Sequence, residues 1–191
     1  PPGAPGQAPY CLPLIVSLDH EGDDRPTSRL LNRFTPVPSE MALGATFDPA
    51  NAEQVGCTVG RELAAVGVNM LFGPNLDVLE TPRSGGDGDQ GIRVFGGSHL
   101  WVSEMGAAYV EGVHRCGDGH VATVAKHFPG HGRSNRNVDY EDIPVVVGKT
   151  LEQLAESDLA PFSAVAGGSP GAAITTDAMM NSHLSYPGVT G

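Results

Sequence analysis

The stretch "VATVAKHFPGHG", residues 121–132, decides the fold. Its first half is a short apolar run with β-branched residues, which reads as a strand. Its second half packs a lysine, two histidines, a proline and two glycines into seven positions. Pro129 and Gly130 break the strand there. A strand that ends in Lys126-His127 and then turns sharply places polar side chains where a parallel sheet keeps its ligands.

The same grammar recurs on both sides. "LPLIVSLD", residues 12–19, reads as a buried strand. A long polar segment follows, too long for a simple connection, and reads as a functional loop or lid. A helix then starts at Asp48, a capping residue, with Pro49 at the first helical position. Ala52, Val55, Val59, Leu63 and Val66 form its apolar face and Gly67 stops it. "VNMLFG", residues 68–73, is a second strand, followed by a Gly-rich loop. The next helix runs from Ser98 to Arg115, with Trp101, Met105, Ala108 and Gly112 on one face. After the third strand comes another long loop. One further helix begins at Thr150, which forms a capping box with Gln153 and carries Leu151, Leu154, Leu159 and Phe162. The fourth strand is Ala178–Ser182, with Ala172–Thr176 as its rival.

Strand, long loop and helix repeat about every fifty residues. That is an α/β chain with a parallel sheet. A (β/α)8 TIM barrel and a doubly wound sheet both place their working loops after the strands, so the pattern alone does not choose. Four strands cannot close an eight-stranded barrel. If it is a barrel, it is incomplete and holds central βα units only. Residues 1–11, which open with a Pro/Gly-rich run, read as a linker or loop, and residues 12–191 as the partial barrel domain.

Bulk properties narrow the partners. The formal net charge of −11 argues against nucleic-acid phosphates or an anionic membrane. No apolar run approaches the roughly 18 residues of a membrane span. The three cysteines, Cys11, Cys57 and Cys116, are far apart and odd in number. They read as buried small hydrophobes rather than a disulfide framework. The chain opens without Met or a visible signal peptide, so bacterial cytoplasm and a secreted or cell-envelope location both stay open.

Polar residues collect where the strands stop: Asp19, Asp77, Lys126, His127 and His183. Each has a plainer reading, such as Asp19 capping a turn or Asp77 tying two loops. Several at one edge of a parallel sheet shift the balance toward a ligand site. A metal is not expected. His127 and His131 are four apart, but Pro129 and Gly130 forbid the helix that would align them, and no third ligand stands nearby in a known pattern. "GGDGDQG", residues 85–91, lacks the endings of phosphate and calcium loops and reads as a mobile loop.

"KHFPGHG" resembles the signature of family 3 glycoside hydrolases, particularly the β-N-acetylhexosaminidase branch. "SLDHEG", "LFGPNLDV", "IRVFGG" and "DAMMNSHLSY" resemble further segments of that family and fall in its order. The match covers residues 12–188. It implies a (β/α)8 barrel and hydrolysis of terminal β-linked sugars, β-N-acetylglucosaminides first, by the retaining route and without a cofactor. The implied partners are a carbohydrate substrate and the remainder of the same barrel. Asp19, Arg29, Arg93, Lys126, His127 and His183 would bind the sugar, and Asp77 would hold strand ends.

The resemblance breaks at the catalytic pair that a retaining glycosidase needs. The branch carries D-S-H on the loop after "KHFPGHG"; here the loop reads "NVDYEDIP", which sets Asp139 and Glu141 as the acid/base candidates. The family nucleophile lies on a later strand, and no such segment precedes Gly191. Asp177 in "TTDAMM" imitates it but stands before a strand. The chain by itself is therefore expected to be inactive. A β-glucosidase-like hydrolase and a non-catalytic carbohydrate-binding relative are the alternatives.

Overall fold

A computed structural model of the chain describes residues 14–22, 28–80, 91–131, 145–167 and 174–190. Four strands form one sheet: β1 (Ser17–Leu18), β2 (Met70–Leu71), β3 (Ala122–Phe128) and β4 (Ala178–Asn181). They lie in the order β1-β2-β3-β4 and every pairing is parallel. The helices are α1 (Glu40–Gly44), α2 (Pro49–Ala65), α3 (His99–Cys116), α4 (Leu151–Glu156), α5 (Leu159–Val165) and α6 (Pro187–Thr190), with a 3-10 turn at Gly91–Arg93. Sequential parallel strands joined by helices are units of a (β/α)8 barrel, the fold that the family resemblance implied.

Local signals placed the long helices well. Asp48 caps α2 by accepting from the Ala50 N–H at 3.0 Å, and Pro49 is its first residue. Thr150 and Gln153 form the reciprocal capping box of α4. Ala52, Val59 and Leu63 of α2 pack with Val102, Met105, Tyr109, Val110 and Val113 of α3 and with Leu71, Val121 and Ala125 beside the sheet. Burying a side chain such as Leu63 contributes roughly 1.5–3 kcal/mol. No helix among the described residues is long and apolar enough to cross a membrane.

Three expectations need correction. Of the segment read as a buried strand from 12 to 19, the described residues 14–19 are ladder-paired only at Ser17–Leu18; Leu14, Ile15 and Val16 are 80%, 65% and 38% exposed. It lies at the edge of the sheet among the described residues, where the Asn69 amide holds Val16 and Leu14 and the Val16 carbonyl accepts from the Asn69 and Met70 N–H groups. The helix expected from Thr150 is two helices. Ser157 and Asp158 interrupt it, because both side chains are held by the Lys149 ammonium. Finally, Cys57 and Cys116 are not separate buried hydrophobes but form a disulfide, with Cα atoms 4.8 Å apart.

Packing explains that bond. A Cβ on Gly56 would sit 2.3 Å from the Tyr109 carbonyl, and one on Gly112 would sit 2.0 Å from that of Glu53. Glycine at these positions lets α2 and α3 touch backbone to backbone, which brings Cys57 against Cys116 within bridging distance. Fifty-nine residues separate the pair in sequence, so no local pattern announces it. Cys11 lies outside the described residues.

Candidate active site

β3 ends in a register shift: Lys126 pairs with Met180 and Phe128 with Asn181, which skips His127. In a regular strand Lys126 and His127 would face opposite sides. The irregularity breaks that alternation. Lys126 turns toward the residues after β1, and His127 toward those after β2.

The first group gathers on Lys126, whose side chain is 1% exposed. Its ammonium donates to Asp19 Oδ1 at 2.6 Å and makes a close ion pair with Glu21. Glu21 also receives two bonds from Arg93, at 2.6 and 3.1 Å. Burial pushes the Glu21 carboxyl up, but the Arg93 hydrogen bonds and the Lys126 and Arg93 charges outweigh it and hold it below the usual range. Behind it lies Glu40, fully buried at the start of α1, with one oxygen accepting from the Asn75 N–H at 3.0 Å. Burial and the Glu21 charge push the Glu40 carboxyl well above the ordinary range.

The second group gathers on Asp77, 1% exposed. It accepts from His127 Nδ1 at 2.8 Å, from the His131 N–H at 2.9 Å and from the His127 N–H at 3.4 Å. Burial raises the Asp77 carboxyl, and the histidine charges and these hydrogen bonds drive it far below its ordinary value. An ionised Asp77 fixes the proton of His127 on Nδ1 and leaves Nε2 for a ligand. His131 is 1% exposed, and neither ring nitrogen has a hydrogen-bond partner. Burial lowers its pKa to about 4. It is therefore neutral at pH 7, where the hydrogen bonds rather than its charge keep Asp77 ionised.

The fold does supply the third ligand that the sequence lacked for a metal: Asp77, His127 and His131 offer atoms within 4.8 Å of one another. The two imidazoles, however, stack with centroids 4.4 Å apart and planes only 6° from parallel. Their in-plane lone pairs do not converge on one point, so a single ion cannot take both rings as they stand. The geometry fits a hydrogen-bonded dyad with a stacked support, not a metal centre.

The structure brings Asp19, Arg93, Lys126 and His127 together at the C-terminal ends of β1 to β3. His183 follows β4 with its exposed ring 6.3 Å from that of His131, so it borders the same group. Arg29 is exposed on the loop after β1. Asp139 and Glu141 lie outside the described residues. Asp77 holds strand ends as the resemblance implied. Asp177 is at the opposite end of the sheet, before β4, where it receives the Thr123 N–H at 2.7 Å. Sequence reasoning missed Glu21 as the hub between two cations, although it stands inside the "DHEG" segment. It also missed the buried Lys149, which binds Glu80 at 2.7 Å and pairs closely with Asp158. No local signal marks a lysine or a Glu40 as buried.

Comparison with known proteins bears on the family and the fold. The model of the glycosyl hydrolase family 3 N terminal domain matches residues 5–191. A beta-hexosaminidase of Pseudomonas aeruginosa is 33% identical over 180 residues, which is 92% of this chain and 48% of that protein. A family 3 beta-N-acetylglucosaminidase from Paenibacillus superposes with a TM-score of 0.79 at 36% identity, over 93% of this chain and 31% of its own. NagZ from Neisseria gonorrhoeae, solved with N-trifluoroacetyl-D-glucosamine, gives 0.74 at 30% identity, over 93% of this chain and 48% of its own. The chain spans about half the length of the curated relatives it matches.

Proposed function

Because the chain belongs to the family of glycosyl hydrolase family 3 N-terminal domains, we propose that it supplies the sugar-binding half of a retaining β-N-acetylglucosaminidase. The carrying observation is that Asp19, Lys126, Arg93 and His127, from segments far apart in sequence, converge at one end of a parallel sheet. Charged groups set around one pocket hold a sugar ring through hydrogen bonds to several hydroxyls and discriminate against analogues that lack one. Asp19 and the His127 Nε2 accept, while Arg93 and Lys126 donate. His183 and Arg29 complete the rim. The printed names of the relatives, and the glucosamine derivative in the Neisseria structure, favour the N-acetylated sugar over glucose.

Within the domain spanning residues 12–191, Glu141, with Asp139 beside it, is the acid/base. The nucleophile and the strands that complete the sheet come from the part of the longer relatives that this chain does not match. The open sheet edges thus take the remainder of the same barrel as their partner, and nucleic acid, repelled by a net charge of −11, has no role. The route needs two carboxyl groups and no cofactor. The test is hydrolysis of chromogenic N-acetylglucosaminide and glucoside by the full-length protein. We expect turnover of the N-acetyl substrate and none from residues 1–191 alone. Preference for the glucoside would move the reading to a β-glucosidase. Binding without turnover would leave a carbohydrate-binding relative.

A further inference from the structure

The pocket contains two cations and more than two carboxyls, and their order has a consequence. Lys126 and Arg93 face Asp19 and Glu21, with Glu40 buried behind them. The two charged carboxylates differ in access. The Asp19 side chain is 34% exposed and the Glu21 side chain 2%. Asp19 gives Oδ1 to Lys126, and no bond among the described residues occupies Oδ2. Both oxygens of Glu21 are taken by protein cations, so it has none to offer a sugar.

We propose that Glu21 is a positioning residue for sugar recognition, an inference that rests on the sugar-binding reading above. It clamps Arg93 and Lys126 side by side beneath the pocket and thereby leaves Asp19 able to accept from a sugar hydroxyl. Without the Glu21 charge, Lys126 would lean wholly on Asp19 and Arg93 would be drawn toward it. Arg93 would lose the bidentate partner that fixes its plane. Asp19 would then be occupied by protein donors rather than by substrate. The role of Glu21 is transmitted through other residues, so it is not itself a catalytic residue.

The test compares wild type, Glu21→Gln and Glu21→Asp in the full-length protein. Two readouts are needed: KM and kcat on p-nitrophenyl N-acetyl-β-glucosaminide, and calorimetric binding of free N-acetylglucosamine. Glu21→Gln is expected to raise KM and the sugar Kd together by about 10- to 100-fold, with kcat changed far less. Glu21→Asp keeps the charge and is expected to fall between wild type and Glu21→Gln. A Glu21→Gln protein that loses kcat and thermal stability at unchanged KM and Kd would show a merely structural residue and overturn the inference. If Glu21→Gln does not fold, an unchanged KM in Glu21→Asp overturns it instead. A wild-type protein that neither binds nor cleaves the sugar would overturn the sugar-binding reading itself, and this inference with it.

Discussion

Two Asp–His pairs stand at opposite ends of the sheet with the same bond length. Asp77 meets His127 at 2.8 Å at the C-terminal end, and Asp177 meets His114 at 2.8 Å at the N-terminal end. Their surroundings differ. Asp77 and His127 have side chains 1% and 13% exposed, and the carboxylate takes three hydrogen bonds, two from His127 at the end of β3 and one from His131 in the loop that leaves it. Asp177 and His114 are 49% and 29% exposed, and Asp177 also fastens the Thr123 N–H at the start of β3. Water competes at the second site and is nearly shut out of the first. The same pair of residue types is therefore a surface staple in one place and a device that fixes a proton in the other.

The largest effect should separate them by stability. Asp77→Ala leaves three buried donors without an acceptor and is expected to cost about 3–5 kcal/mol in urea unfolding. Equal losses from Asp77→Ala and Asp177→Ala would erase the distinction. Acid should act next. Folded His131 titrates near pH 4, well below its unfolded value. Between about pH 6.5 and 4 the unfolded chain takes up a proton that the folded chain refuses, so stability is full above that window. It should fall by about 3 kcal/mol as pH drops through it. Asp77, whose folded value is depressed, adds a further loss only below its unfolded value of 3.8. Urea midpoints from pH 7 to 4, with a flatter slope in His131→Gln, would verify this. A smaller effect should appear in catalysis: His127→Ala is expected to lower kcat/KM by about 30- to 100-fold, whereas His114→Ala leaves it within twofold. The smallest is the cost of Asp177→Ala, about 1 kcal/mol by the same unfolding assay.

What the sequence made legible was what neighbouring residues decide. Asp48-Pro49 and Thr150-Gln153 declare helix starts because a cap needs only its own first turn. "VATVAKHFPGHG" declares a strand and its end because the apolar run and the proline are adjacent. Asp19, Lys126 and His127 were found from their place at strand ends. The rest depended on partners far along the chain. Glu40 reads as an ordinary acidic residue in a first helical turn, where exposure is usual; only packing beneath Glu21 buries it and raises its carboxyl. The extent of β1 was overestimated because a run of Leu, Ile and Val does not say which strand is at an edge. His127 could be placed at the site, but not its irregular pairing, which requires β4 as a reference.

The bond between Cys57 and Cys116 bears on the surroundings in which the chain can fold. By loop entropy alone, closing a span of this length restricts the unfolded chain by about 4 kcal/mol. Disulfides persist in secreted, periplasmic and surface compartments and are seldom kept where glutathione holds thiols reduced. Protein exported to an oxidising periplasm is expected to show a Cys57–Cys116 cross-linked peptide and to lose thermal stability in dithiothreitol. The same chain retained in a reducing cytoplasm is expected to carry two free thiols there and to melt early from the start. On that footing the outer helices, remote from any sugar, set the side of the membrane on which the pocket is durable.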